Sequence, residues 1–321
     1  MIGPMAPDSF ADNISHALTA MGHVVCTPGP VAPRIRQRHA DVVASLLSEH
    51  LPSLREARQR HLVSAARKFR PDLTISVDRR LAKGVINQLH GLGGVVYLWF
   101  PDAVSNLGRH EVFLAGFDRI YVKNPVLADQ LKAVQGLPVH YLPEACSPGW
   151  HRSTDPYATG DHLALVGNVH PTRAILLSRL VKAGIPVKIF GSPIAPWVGH
   201  PELIEHHTGI IVRRQQKSAV FRGATAVLNN LHPAEFGGSN CRLFEATAAG
   251  GLVLTEEREG LDELFDIGRD VLTFASFDEL VDLFRQAAAD PLWAAGVADA
   301  GARRSLRDHT YEKRLTTMLE S

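Results

Sequence analysis

The sequence has no Cys-x-x-Cys pair: its three cysteines, Cys26, Cys146 and Cys241, lie far apart. An odd count at such spacing fits neither a disulfide framework nor a zinc knuckle and reads as reduced thiols in a cytoplasmic protein. No apolar run approaches the ~20 residues of a membrane helix. The start, Met1 to Asp8, lacks the basic and apolar regions of a signal peptide, so export by that route and an integral membrane segment are both unexpected. Neither sign of charge dominates, since 34 Lys plus Arg face 33 Asp plus Glu. A protein whose main task is neutralising nucleic-acid phosphates would be strongly basic, so nucleic acid is not an expected partner. Internal repeats and low-complexity tracts are also missing.

What remains is globular composition, 45% apolar and 21% charged, over 321 residues. That length suits two domains with separate cores. Helical periodicity covers Ser9 to Gly22, and a short strand is expected at His23 to Cys26. A long helical stretch follows from Arg34 to Arg70, broken at Pro52. Short apolar runs then alternate with helices: strands at Pro71–Asp78, Gly94–Phe100, Gly116–Val122 and Val139–Pro143, with helices at Leu81–Leu89 and Val126–Val134. The polar, turn-rich stretch His151–Asp161 reads as a linker. Beyond it the alternation resumes with strands at His162–Val166, Val187–Phe190, Ile210–Val212, Ala226–Leu231 and Leu252–Thr255. Helices are expected at Arg173–Ala183, Gln216–Arg222 and Cys241–Ala249. Such alternation predicts parallel α/β sheets, here two Rossmann-like domains over 1–152 and 161–321.

Three glycine clusters are candidates for chemistry. Gly91-Leu92-Gly93-Gly94 precedes a strand, whereas a dinucleotide fingerprint must follow one, so it reads as a turn. Gly167-Asn168-Val169-His170-Pro171-Thr172-Arg173 has the right order, a strand end leading to a helix start whose free N–H groups attract an anion. Arg173 adds a planar cation suited to phosphate; a plain strand-to-helix turn is the bland alternative. Gly237-Gly238-Ser239-Asn240-Cys241-Arg242 is a second such helix start, with Glu245 three residues beyond Arg242 on the same face. A carboxylate there could hold a ribose diol, or form a surface ion pair with Arg242.

The run Asn240-Cys241-Arg242-Leu243-Phe244-Glu245-Ala246-Thr247-Ala248-Ala249-Gly250, followed by Leu252-Val253-Leu254-Thr255, resembles the donor-site signature of GT-B glycosyltransferases. More narrowly it is similar to the spore-maturation (CgeB-like) group. Leu261-Asp262-Glu263-Leu264-Phe265, His309-Thr310-Tyr311-Glu312-Lys313-Arg314, Arg70-Pro71-Asp72-Leu73, Trp99-Phe100-Pro101-Asp102 and Tyr141-Leu142-Pro143-Glu144-Ala145 extend the likeness over nearly the whole chain. The resemblance implies transfer of a sugar from a nucleoside diphosphate sugar to an acceptor hydroxyl or amine. The second domain would bind the donor, UDP or dTDP being the expected nucleotides, and the first the acceptor, with reaction in the cleft between them and the last helix packing back on the first domain. It implies Glu245 on the ribose. Gly167, Asn168, Arg173, Ser239, Asn240 and Arg242 would surround the diphosphate, Gly191 would admit the nucleotide, and Val212 would lie on a strand meeting the base. No cofactor or metal is implied. An epimerase on the same fold, or a silent binding module, is the alternative.

Two departures stand out. Glu235 and Glu245 have nine residues between them where the better-known motif has seven, which puts Glu235 out of register as a sugar ligand. Only Met1-Ile2-Gly3 stands where a full first strand is expected, so that strand is abbreviated or begins upstream.

For acid–base work, Asp78 and Asp102 each close a strand of the first sheet, and Trp99 and Phe100 could desolvate Asp102, making it the catalytic candidate. His151 and His170 stand second. His200, His206 and His207 carry no metal-ligand pattern, and the basic run Arg213, Arg214, Lys217 and Arg222 reads as a solvated helix face.

Overall fold

The computed structural model describes residues 1–32, 38–103, 105, 111–152, 160–235 and 237–320. The chain divides into two compact units, Met1–Leu142 and Pro143–Ser321. The division falls before the polar stretch, because residues 143–151 pack within the second unit. Cys146 N–H donates to His309 O at 2.9 Å and Tyr311 N–H to Cys146 O at 3.0 Å. The short helix Pro148–His151 follows, its Trp150 carbonyl accepting from Ser218 Oγ at 2.8 Å. Of the expected linker, 153–159 lie outside the described residues.

The first unit holds a four-stranded parallel sheet, β1 (Leu73–Ser76), β2 (Val95–Trp99), β3 (Arg119–Val122) and β4 (Val139–Tyr141), in that spatial order. Where a full first strand was expected there are two isolated bridges, from Ile2 to Ser76 and to Gly29: Ile2 N–H donates to Ile75 O, and Ile2 O accepts from Val77 N–H. His23 to Cys26 forms no strand. The long helical stretch is three helices, Arg38–His50, Pro52–Arg58 and Arg60–Phe69, and Pro52 opens the second, where its missing N–H costs no hydrogen bond. Ser9 caps the helix Phe10–Ala20, with its side chain accepting from Asp12 N–H.

The second unit holds β5 (Leu163–Val166), β6 (Val187–Phe190), β7 (Ala226–Asn229), β8 (Val253–Glu256) and β9 (Leu272–Phe274), all parallel, in the order β6-β5-β7-β8-β9. Alternation along β7 and β8 splits the core: Leu228 and Leu254 join one buried cluster, Val227 and Val253 another on the opposite face. A sheet with both faces covered explains why these strands read as near-continuous apolar runs. Ile210–Val212 is not a strand. The segment follows the end of β6 through single backbone bonds, Thr208 N–H to Ile189 O at 2.9 Å and Gly191 N–H to Ile210 O at 3.0 Å, with one bridge between Ile189 and His207 and no ladder.

Strand order reverses between β5 and β7. In open α/β sheets such a reversal splays the loops at the carboxyl ends of the two central strands and opens a crevice for ligand. The segments leaving β5 and β7 are the two late glycine clusters.

Candidate functional site

Gly167 closes β5 at φ +138°, a left-side conformation that a side chain would strain. A Cβ there would also lie 2.6 Å from Arg242 Nη2, which would have to shift, with Arg173 Nη1 3.8 Å away. Gly191, closing β6 at φ +152°, is equally constrained, since its Cβ would stand 2.6 Å from Gly167 O. Two glycines thus let adjacent strand ends close tightly, and two guanidinium groups flank the result.

The two arginines are held differently. Arg173, in the helix Pro171–Lys182, is only 5% exposed. It donates from Nε to Asn230 Oδ1 at 2.7 Å, from Nη2 to Asn230 O at 2.7 Å and from Nη1 to Asn168 O. Those bonds tie the loop after β5 to the loop after β7. Arg173 is therefore chiefly a clamp, a role its position at a helix start did not suggest. Arg242, in the first turn of Cys241–Ala248, donates from Nε to Val166 O at 2.6 Å and from Nη1 to Asn229 Oδ1 at 3.2 Å. Its Nη2 has no hydrogen-bond partner among the described residues and lies against Gly167. Burial lowers the pKa of both arginines, and Arg242 lowers that of Arg173 further. Two crowded cations in a partly dry site favour an anion between them.

The helix starts supply further donors. Asn240 caps Cys241–Ala248, its Oδ1 accepting from Leu243 N–H at 3.2 Å. Just before it, Ser239 is 3% exposed and its Oγ has no partner among the described residues. His170 caps the other helix, its Nδ1 accepting from Arg173 N–H at 3.4 Å, which leaves Nε2 buried without a partner. Burial and the neighbouring Arg173, His232 and Arg242 push the His170 pKa down to about 4, so the ring is neutral near pH 7. Asn168 is exposed and contributes its carbonyl to Arg173.

Glu245 is neither exposed nor paired with Arg242. At 4% exposure, its Oε2 lies 2.9 Å from Lys217 Nζ and its Oε1 3.7 Å from His151 Nε2. Lys217, in the helix Arg214–Arg222, is itself 8% exposed, so the expected solvated basic face is largely an inward one. Arg214 stacks on Trp150 at 4.1 Å and Arg222 donates to Gly250 O at 3.0 Å. His151 is fully buried, its Nδ1 accepting from Ser147 N–H at 3.0 Å. Val212 is half-buried in the segment after Gly209, not on a strand.

In the first unit, Asp102 is exposed and accepts from Ala103 N–H at 2.7 Å. The desolvation expected from its aromatic neighbours is not there, because Trp99 and Phe100 turn into the core. Trp99 meets Phe10 edge-on at 4.8 Å and donates to Leu142 O. Asp78 is occupied by Arg80, through Nε at 2.9 Å and Nη2 at 2.6 Å.

Residues 173–320 match the model of a family described as glycosyl transferase-like. No curated protein sequence matches. Among solved structures, Anabaena HepE in complex with UDP is similar at TM-score 0.68 and 13% identity, over 99% of this chain and 97% of that one. Sucrose-phosphate synthase from Thermosynechococcus elongatus matches at TM-score 0.65 and 14% identity, with the same coverage of 99% and 97%. A glycosyltransferase from Rickettsia africae matches at TM-score 0.66 and 10% identity, over 99% and 96%. The two parallel-sheet units are those of the GT-B fold. The family match lies wholly within the second unit. No helix among the described residues is long and apolar enough to cross a membrane.

Proposed function

We propose that the protein is a glycosyltransferase, akin to the spore-maturation (CgeB-like) group, that moves a sugar from a nucleoside diphosphate sugar to an acceptor hydroxyl or amine. The observation that carries the proposal is the pair of guanidinium groups at Gly167, at the strand-order reversal of the second unit. The donor diphosphate lies there, against Arg242 Nη2, Ser239 Oγ and the N–H groups at the start of Cys241–Ala248. Glu245, held by Lys217, accepts from the ribose hydroxyls. Anabaena HepE has been solved with UDP and with UDP-glucose, which favours a uridine nucleotide over dTDP.

In the reaction the bond between the anomeric carbon and the diphosphate oxygen breaks, and its electron pair leaves with the diphosphate. Arg242 stabilises the negative charge that develops there, and Arg173 fixes the two loops so that this donor is already in place. The acceptor oxygen forms the new bond. Its proton passes to Asp102 if the configuration inverts, or to the departing phosphate if it is retained. The first unit binds the acceptor.

A thermal-shift panel of UDP, dTDP, GDP and ADP tests the reading. A nucleotide at a hundredfold excess over its Kd raises stability by ~2.7 kcal/mol. No response to any of the four would overturn it, and conversion of the donor without acceptor into an epimeric product would assign an epimerase instead.

A further inference from the structure

A helix on the surface of a globular unit ordinarily turns its apolar stripe to the core and its polar face to water. In the first unit the helix Arg38–His50 does the reverse. Its polar positions face the protein: Asp41 Oδ1 accepts from Arg58 Nη2 at 3.0 Å, Ser45 Oγ from Arg58 Nη1 at 3.3 Å, and Ser48 O from Arg55 Nε at 3.0 Å. Its apolar positions face outward, Val42, Val43, Leu46 and Leu47 being 46–57% exposed. At 3.6 residues per turn these four share one arc of about 140°. Leu51, which follows the helix, is exposed as well. None of the helix's described side chains is fully buried.

Charge decides what such a face suits. Among the described residues of the helix, the acid Asp41 lies on the side away from the apolar arc and is paired with Arg58. Glu49 is the other acid in the helix sequence. From Asn13 to Ala40 the sequence has no acid at all, and Arg34, Arg36, Arg38 and His39 stand just before or at the start of the helix. An exposed aliphatic arc beside a basic stretch is the pattern that lies in the plane of an anionic lipid surface. A second copy of the chain would find too little to hold. Thirteen residues span ~20 Å, and an arc ~10 Å wide gives each copy about 200 Å² to bury, where stable protein interfaces take ~800 Å² a side.

We propose that the outward face of the helix Arg38–His50 docks the first unit reversibly on a membrane surface that carries acidic phospholipid. Val42, Val43, Leu46 and Leu47 enter the boundary between headgroups and acyl chains, and the basic stretch supplies the attraction to acidic headgroups. Because Arg55 and Arg58 already fix the inner side of the helix, docking requires no folding step and loses little affinity to ordering. The inference is independent of the glycosyltransferase reading.

Flotation of the full chain with vesicles of phosphatidylcholine, and of phosphatidylcholine mixed with phosphatidylglycerol, tests the proposal. Each arginine near an acidic surface contributes about fivefold, so binding to the mixed vesicles is expected to be ~10-fold or more stronger, and to weaken in ~0.5 M salt. Val43→Gln with Leu46→Gln removes aliphatic surface without changing charge, and should lower that binding about tenfold or more. Both positions are exposed, so the thermal midpoint, measured alongside, should hold. Val134→Gln, at a 76% exposed position of the helix Pro125–Gln135 in the same unit, should leave binding unchanged. No binding to either vesicle, equal binding to both, or binding that survives the Val43 and Leu46 substitutions overturns the proposal. An equal loss in Val134→Gln would overturn it too, by showing general stickiness. Light scattering on the free protein covers the other occupant: a dimer that Leu46→Gln dissolves would assign the face to a second copy instead of a membrane.

Discussion

Lys217 Nζ stands 2.9 Å from Glu245 Oε2, and both residues are less than a tenth exposed. An ion pair removed from water in this way differs from a surface pair in what its disruption costs. Breaking it leaves a buried, uncompensated charge, typically 3–5 kcal/mol, whereas an exposed pair contributes ~0–1 kcal/mol. Glu245→Gln should therefore lower unfolding stability by ~3 kcal/mol as well as weakening nucleotide binding. Glu245→Gln combined with Lys217→Met should recover most of the stability but not the binding. Urea denaturation and nucleotide titration of the three variants would separate the two roles, and a double variant that regains full affinity would remove Glu245 from the ribose.

Arg242 and Arg173 should respond differently to substitution. Arg242→Lys keeps a cation but loses the fork that reaches Val166 O, Asn229 Oδ1 and the Gly167 turn. Nucleoside diphosphate binding should weaken by ~1.5–3 kcal/mol with a smaller effect on folding. Arg173→Lys should mainly destabilise the fold, because it unties Asn230 and Asn168. Paired affinity and unfolding measurements would check this, and equal effects on both readouts in both variants would argue against the division of labour.

Much of this was legible in the sequence, and the exceptions have physical causes. Parallel strands buried on both faces announce themselves as short apolar runs, so both sheets could be anticipated from periodicity. The glycines at 167 and 191 were legible because each closes such a run. Lys217 was not, since a basic run suggests a wet surface. Its one available signal was Phe221, four residues on and therefore on the same helical face, buried beside it. Residues 143–152 read with the first unit in the sequence and pack in the second in the structure, because the pairing of Cys146 with Thr310 joins distant segments and leaves no local pattern. Asp102 was expected to be desolvated because Trp99 and Phe100 adjoin it in sequence, but adjacent side chains need not share a face.

Acid should destabilise the second unit before its carboxylates titrate. His309 is 4% exposed; Arg314 Nη2 donates to its Nδ1 at 2.9 Å, so the ring proton sits on Nε2 and donates to Leu264 O at 2.7 Å. Burial, with Arg314 and Arg304 adding to it, pushes its pKa down to about 4. An unfolded histidine titrates near ~6.5, so below that pH the unfolded chain takes up a proton that the folded one refuses. The stabilisation is complete above pH ~6.5 and is lost as pH falls towards ~4, by about 2 kcal/mol between pH 6.5 and 5. His170 acts in the same direction. Urea unfolding at several pH values should show this slope, and His309→Gln should flatten it; a slope unchanged in the variant would assign the effect elsewhere.

Asp102 is the remaining question, and its exposure sharpens the test. A carboxylate in water is a weak base, so if Asp102 takes the acceptor proton, bound acceptor must exclude water from it. Asp102→Asn should reduce turnover by ~10²–10⁴-fold while leaving donor affinity unchanged, because the proposed donor contacts all lie within the second unit. The pH dependence of turnover should lose its basic-group limb in the variant. Turnover within a few-fold of the wild type would remove the base role. NMR of the product's anomeric configuration decides between the routes, since retention would give the proton to the departing phosphate and leave Asp102 only to orient the acceptor.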